Sequence, residues 1–248
     1  MVNVLGQTIK LRPPHIAGDT RMTLKGIVFD LDSTLIDSNV DFVKMKQHII
    51  HYLEQNGHPK GTLSPTAMTT VQITEEAEKN WTKQGKTEKQ KQRMRDKITQ
   101  YMDQGELEAI DTLTEIPGAK QAVEKLKEKG YKLAVLTRSH HLYAEKALEK
   151  TGMTPYFDLV LGRGETPQPK PYREAIEHTV KLMSLKIDEV TMIGDHQIDR
   201  DSATSCDCSF IGVATGHRGL KSWANETPPQ VLLGSVAELP EYIENNCT

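Results

Sequence analysis

Two aspartates separated by one residue, Asp30 and Asp32, close the apolar run GIVF in the stretch GIVFDLDSTL. Later apolar runs end in the same way. Thr137 and Ser139 follow KLAVL, Lys170 lies in QPKPYREAI, and Asp195 follows VTMIG with Asp199 one helical turn on. Mg²⁺ takes hard oxygen ligands, usually one or two carboxylates with waters and substrate phosphate, and Asp30 and Asp195 can supply them. A carboxylate can also attack phosphorus and form an acyl-phosphate, which splits one difficult displacement into two steps. Attack on a phosphate dianion needs charge neutralisation, a task for the cation and Lys170 together. The Thr137 hydroxyl can donate to a phosphoryl oxygen. Asp32 lies on the same side of an extended chain as Asp30. There it can protonate a leaving oxygen and then deprotonate water. These residue types point to metal-assisted phosphoryl transfer.

Elements must gather these residues, and the periodicity says which. LKGIVFDL is short, apolar and β-branched, so it reads as a buried strand. From Asp37 to about Asp111 no strand signal occurs. Phe42, Met45, Ile49, Tyr52 and Leu53 recur at helical spacing up to Asn56-Gly57; Ile73, Ala77 and Trp81 mark a second helix closed by Gly85. Met94, Ile98, Tyr101 and Met102 mark a third, which Gly105 is expected to close. Afterwards helix and strand alternate: GAKQAVEKLKEKGYKLAVLT, AEKALEKTG with FDLVLG, YREAIEHTVKLM with EVTMIGD, and DRDSATSCDC with SFIGVATG. Short apolar strands alternating with amphipathic helices imply parallel βαβ units. Right-handed crossovers put the strand C-termini on one edge, where ligands bind near the switch point. The expected fold is α/β, a Rossmann-like three-layer doubly wound parallel sheet with an inserted all-helical cap. Its expected parts are an N-terminal extension over 1–22, a core over 23–36 and 112–248, and a cap over 37–111.

Composition narrows the partners. Of the 248 residues 37% are hydrophobic and 26% charged, and the net charge of −3 provides no field favouring nucleic acid or a membrane surface. No apolar run reaches the length of a membrane span. The three cysteines, Cys206, Cys208 and Cys247, show no zinc-like spacing and fit a reducing compartment, so a cytoplasmic location is expected. The mildly basic first 22 residues leave an organellar presequence as the weaker alternative, since Pro13 and Pro14 interrupt any amphipathic helix there. Oligomeric state leaves no mark.

The sequence resembles the haloacid dehalogenase superfamily, in its phosphatase branch with a helical cap, the phosphoglycolate phosphatase-like type. The matches are FDLDSTL for the D-x-D-x-T motif, VLTRS for the strand-two threonine, KPYREAI for the lysine motif and GDHQID for the terminal acidic motif. They fall in order over residues 25–215. The resemblance implies that Asp30 is the nucleophile and Asp32 the general acid/base, with the Asp32 backbone carbonyl also touching Mg²⁺. It makes Asp30, Asp32 and Asp195 metal residues, with Asp199 a supporting or water-mediated metal partner and Thr34 holding the motif loop. Thr137 and Lys170 become phosphate binders, and Lys170 also orients the nucleophile. Arg138, beside Thr137, is grouped with them as phosphate-binding, whereas His140 and His141 on the same loop read as solvated. The insert after the first motif matches the family's cap, which closes over substrate.

The departures are small. Ser33 stands where glycine is commoner, Arg173 replaces a second proline, His196 follows Asp195, and Asp207 takes the place of a helix-closing glycine in a left-handed position that aspartate tolerates. The basic face Lys89, Arg93 and Lys97 reads as solvated surface and Trp81 as cap core. The expected activity is a Mg²⁺-dependent phosphatase acting on a small phosphorylated metabolite through an aspartyl-phosphate. The alternatives are a phosphomutase of the same superfamily and a non-catalytic binder retaining the fold. Asp32 argues against carbon–halogen cleavage, which needs no leaving-group acid.

Overall fold

A computed structural model describes residues 24–216, 223 and 229–246, together with the backbone of residues 2–4 and 7–9. Val2–Val4 (β1) and Gln7–Ile9 (β2) form an antiparallel pair, Val2 opposite Ile9. Most of the expected N-terminal extension, with the question of a presequence, lies outside the described residues, as does Cys247.

The chain divides into two compact units, Met1–Ser38 with Leu113–Thr248, and Asn39–Thr112. In the first, Gly26–Phe29 (β3) is buried along its whole length, as a strand inside a parallel sheet must be. Ile36–Asp37 (β4) leaves towards the second unit and Thr114–Glu115 (β5) returns from it. The two pair antiparallel, Ile36 opposite Glu115 and Asp37 opposite Thr114.

The second unit is helical: Phe42–Gln55 (α1), Thr70–Lys83 (α2) and Glu88–Glu108 (α3). Thr69 with Gln72, and Thr87 with Gln90, form capping boxes that start α2 and α3. The apolar faces meet in one cluster of Met45, Ile49, Leu53, Ile73, Ala77, Trp81, Met94 and Ile98. Gly105 does not close α3, which runs on to Glu108. A Cβ at Gly105 would lie 3.2 Å from the Met45 side chain, so this glycine allows a close approach between helices rather than a stop.

The first unit then alternates as its periodicity implied. Ala119–Glu128 (α4), Lys132–Leu136 (β6), His141–Thr151 (α5), Leu159–Leu161 (β7), Arg173–Leu182 (α6), Val190–Gly194 (β8), Gln197–Thr204 (α7) and Ser209–Val213 (β9) follow in turn. Leu232–Leu233 (β10) and Leu239–Asn246 (α8) end the described chain. The six core strands lie in the order β10-β9-β8-β3-β6-β7, every pair parallel. This is the expected doubly wound α/β sheet, with order reversing about β3. On one face Val28, Ala134, Leu136 and Met192 pack with Ala175, Ile176 and Val180 of α6 and Ala203 of α7. Alternation turns Ile27, Phe29, Leu133 and Val135 to the other face. There Phe29 meets Phe157 edge-on at 5.9 Å between ring centres. Burying each large side chain contributes about 1.5–3 kcal/mol before chain entropy is subtracted. Strands anchored in this way can hold unfavourable backbone at their ends.

Candidate active site

The end of β3 is pinned on both sides. The Asp30 amide donates to the Ile193 carbonyl at 2.9 Å, so Asp30 begins its loop level with the end of β8. The chain then folds back tightly, the amides of Leu35 and Ile36 both donating to the Leu31 carbonyl. Ser33 takes φ 63°, the left-handed region, at a cost of about 1 kcal/mol for a residue with a Cβ. Its amide donates to Ile36 and its carbonyl accepts from the Thr215 hydroxyl at 2.6 Å, bonds that hold it there. This is why glycine suits the position, and why serine serves once the turn is fixed. Asp207 takes φ 58° after α7, the left-handed conformation read from the sequence.

Lys170 lies at the centre of the acids. It is 2% exposed, and its ammonium donates to Asp30 Oδ1 and Asp199 Oδ1, each at 2.6 Å. Burial alone would lower its pKa, but the Asp199 and Asp30 carboxylates outweigh burial and raise it above the ordinary lysine value. Asp195 follows β8, and one carboxylate oxygen from each of Asp30, Asp195 and Asp199 lies within 4.8 Å of the others. Burial, then Asp30 and Asp199, push the Asp195 carboxyl upward. Burial and Asp30 likewise raise Asp199 against the pull of Lys170. A lone lysine does not balance three acids. The missing charge and the hard oxygen donors suit a divalent cation. The backbone makes room for the carboxylates: a Cβ at Gly194 would meet the Asp199 carboxyl at 2.5 Å, and one at Gly216 would collide with that of Asp195.

Asp32 is held differently. Ser139 Oγ donates to its Oδ2 at 2.8 Å and the Tyr143 hydroxyl to its Oδ1 at 2.9 Å. Burial and the adjacent Asp30 charge raise its pKa, with the hydroxyls of Ser139, Tyr143 and Ser38 pulling the other way. Its side chain is not one of the three carboxylates grouped by Asp30, Asp195 and Asp199.

Thr137 follows β6, its amide bonded to Leu161 and its hydroxyl oxygen accepting from the Ser139 amide at 3.1 Å. The helix after it is capped by His140, whose Nδ1 accepts from the Leu142 amide at 3.2 Å. Arg138 is partly buried, and burial lowers its pKa against the pull of the Asp199 and Asp30 carboxylates. Its carbonyl accepts from Arg163 Nε at 3.1 Å, tying this loop to the one after β7. His196 caps α7 through Nδ1, while its amide donates to Asp199 Oδ2 at 3.2 Å. Thr34 is fully buried, and its hydroxyl has no hydrogen-bond partner among the described residues.

The structure therefore gathers Asp30, Lys170, Asp195 and Asp199 directly, and places Asp32 beside them on separate partners. Tyr143 was not singled out in the sequence. The available signal was a tyrosine on the buried face of α5, with Ala144, Ala147 and Leu148, because a buried phenol needs a hydrogen-bond partner.

Acids that follow β3 and β8 meet around one buried lysine at the carboxyl edge of six parallel strands, so the candidate site of this α/β protein lies at the switch point. The family follows from the sequence as a whole. The family model described as haloacid dehalogenase-like hydrolase matches residues 27–213, and the chain belongs to that family. It is 25% identical over 235 residues to a phosphoglycolate phosphatase of Neisseria meningitidis, covering 90% of this chain and 93% of that one. It is 22% identical over 218 residues to the pyrophosphatase PpaX of Bacillus thuringiensis, covering 88% and 95%. Among solved structures, one described as a predicted phosphoglycolate phosphatase from Haemophilus somnus shares the fold with a TM-score of 0.63. That match has 24% identity and covers 91% of this chain and 99% of that one. The protein is a hydrolase. No helix among the described residues is long and apolar enough to cross a membrane.

Proposed function

We propose that this hydrolase is a Mg²⁺-dependent phosphatase that cleaves a small phosphorylated metabolite through an aspartyl-phosphate on Asp30. The observation carrying this reading is the paired treatment of two neighbouring acids. Asp30 is held by an ammonium, which has no acceptor and so can only donate to the carboxylate oxygen it orients. Asp32 is held by neutral hydroxyls, which can donate or accept and so suit a group that gains and loses a proton.

In the first step an Asp30 oxygen attacks phosphorus and the bond from phosphorus to the leaving oxygen breaks. The Asp32 proton passes to that oxygen, releasing an alcohol. In the second, Asp32 takes a proton from water as the water oxygen attacks phosphorus. The bond to Asp30 breaks, giving phosphate and restoring the carboxylate. Lys170 orients Asp30, while Thr137 and Arg138 hold phosphoryl oxygens. Asp30, Asp195 and the Asp32 carbonyl would hold Mg²⁺, with Asp199 in support. When bound, the cation supplies charge neutralisation at the phosphoryl group.

The relatives' names make phosphoglycolate and pyrophosphate the first substrates to try. The test is a release assay over small phosphorylated metabolites, with and without Mg²⁺. Asp30→Asn is expected to abolish hydrolysis while leaving the circular dichroism unchanged. Turnover surviving in Asp30→Asn would remove Asp30 from the nucleophile role.

A further inference from the structure

We infer that Tyr143, with Ser139, is a positioning residue that aims the Asp32 carboxyl at the leaving oxygen. The inference rests on the reading of Asp32 as general acid. An aspartate side chain has two torsions, and a single hydrogen bond leaves the carboxyl plane free to turn. Here each oxygen has its own donor, Ser139 Oγ on Oδ2 and the Tyr143 hydroxyl on Oδ1, at 2.8 and 2.9 Å. Two donors on opposite oxygens fix the plane as well as the position of the carboxyl. The donors are themselves fixed. Tyr143 is 0% exposed on the buried face of α5, and Ser139 is 8% exposed, its carbonyl accepting from the Arg163 amide at 2.8 Å. A phenol locked in the core carries little motion to the group it holds. Catalysis by a positioned acid falls steeply when that acid is misplaced.

A merely structural role for Tyr143 would affect every substrate alike. Aim matters only where the leaving oxygen needs a proton. The discriminating measurement is kcat/KM, which runs only to formation of the aspartyl-phosphate, on two substrates. Glycerol phosphate has an alkoxide leaving group that departs only when protonated. p-Nitrophenyl phosphate has a phenolate that leaves without one. For Tyr143→Phe, kcat/KM on glycerol phosphate is expected to fall by about tenfold to hundredfold, within the range a general acid contributes. On p-nitrophenyl phosphate it should fall by less than about threefold, the acid contributing little there. Asp32→Asn should show the same selectivity, more strongly.

Equal losses on both substrates, or none, in a Tyr143→Phe protein whose Asp32→Asn counterpart is selective would overturn the positioning role and leave the acid assignment standing. An Asp32→Asn protein without selectivity would remove the acid assignment, and the positioning role with it. Should Tyr143→Phe fail to fold, Ser139→Ala and Ser139→Thr read the same effect. Alanine is expected to be selective against glycerol phosphate and threonine to restore it; an alanine variant without selectivity would overturn the inference.

Discussion

Asp30 and Asp32 are two residues apart in the chain and held by opposite kinds of partner. A buried ammonium bonds both Asp30 and Asp199, each at 2.6 Å. Without a cation, three carboxylates crowd within 4.8 Å against one lysine. A ligand that binds only the folded state stabilises it by an amount that grows with the logarithm of its concentration above Kd, about 2.7 kcal/mol at a hundredfold excess. Adding Mg²⁺ to metal-free protein should therefore raise the melting temperature, and chelation should reverse the rise. Asp195→Asn should melt in chelator no lower than the parent, because one like charge has gone, and should gain much less from Mg²⁺. Scanning calorimetry with and without Mg²⁺ checks both halves. An undiminished Mg²⁺ shift in the variant would take Asp195 out of the metal site. Asp30, Asp32, Thr137 and Asp195 were legible in the sequence because each closes an apolar run, and Lys170 and Asp199 because their motifs open the helices that follow. The partners of Asp32 were not: Ser139 and Tyr143 are 107 and 111 residues away, and only the pairing of β3 with β6 brings their loop alongside.

At the scale of elements, period and end signals located strands and helices wherever a side chain's neighbours are its own sequence neighbours. They failed at Gly105, whose meaning is a contact with Met45 sixty residues earlier in the chain rather than a local stop. They were silent on Ser33, whose left-handed backbone is set by bonds to Ile36 and Thr215. His58, after α1, is a further case. It is 7% exposed, its Nε2 lies 3.1 Å from the Thr62 hydroxyl, and its Nδ1 has no partner among the described residues. Burial lowers its pKa, more than Glu54 and Glu76 raise it. With the folded pKa below the unfolded value of about 6.5, the unfolded chain binds more protons on acidification. The stability His58 confers is whole above that value and is lost as pH falls towards the folded pKa. The stability of the parent, read by urea unfolding, should fall as pH drops below about 6.5, and His58→Gln should flatten that dependence. An identical slope in the variant would assign the acid sensitivity to other groups.

The whole molecule is two cores on one chain, and every residue proposed for catalysis lies on one of them. Asp30, Asp32, Thr137, Arg138, Lys170, Asp195 and Asp199 all belong to the unit formed by residues 1–38 and 113–248. The helical unit closes its own core around Leu53, Trp81 and Ile98 and contributes none of them. The crossing points are neighbours, since Asp37 pairs with Thr114 across β4 and β5. Paired antiparallel strands need only a loop of about two to five residues to join them. Replacing Asn39–Thr112 by a short glycine-serine turn should therefore leave a protein that unfolds cooperatively. Its urea m-value should be smaller than the parent's, in line with the smaller surface it exposes. It should keep the Mg²⁺-dependent rise in melting temperature, because the carboxylates and Lys170 remain. What it should lose is discrimination among phosphorylated substrates, with hydrolysis of p-nitrophenyl phosphate outlasting that of the preferred metabolite. Loss of the Mg²⁺ shift in a cooperatively folded product would mean that the acidic site needs the helical unit for its assembly. Retained discrimination would place specificity on the sheet edge itself, on the loops that carry Arg138 and Arg163.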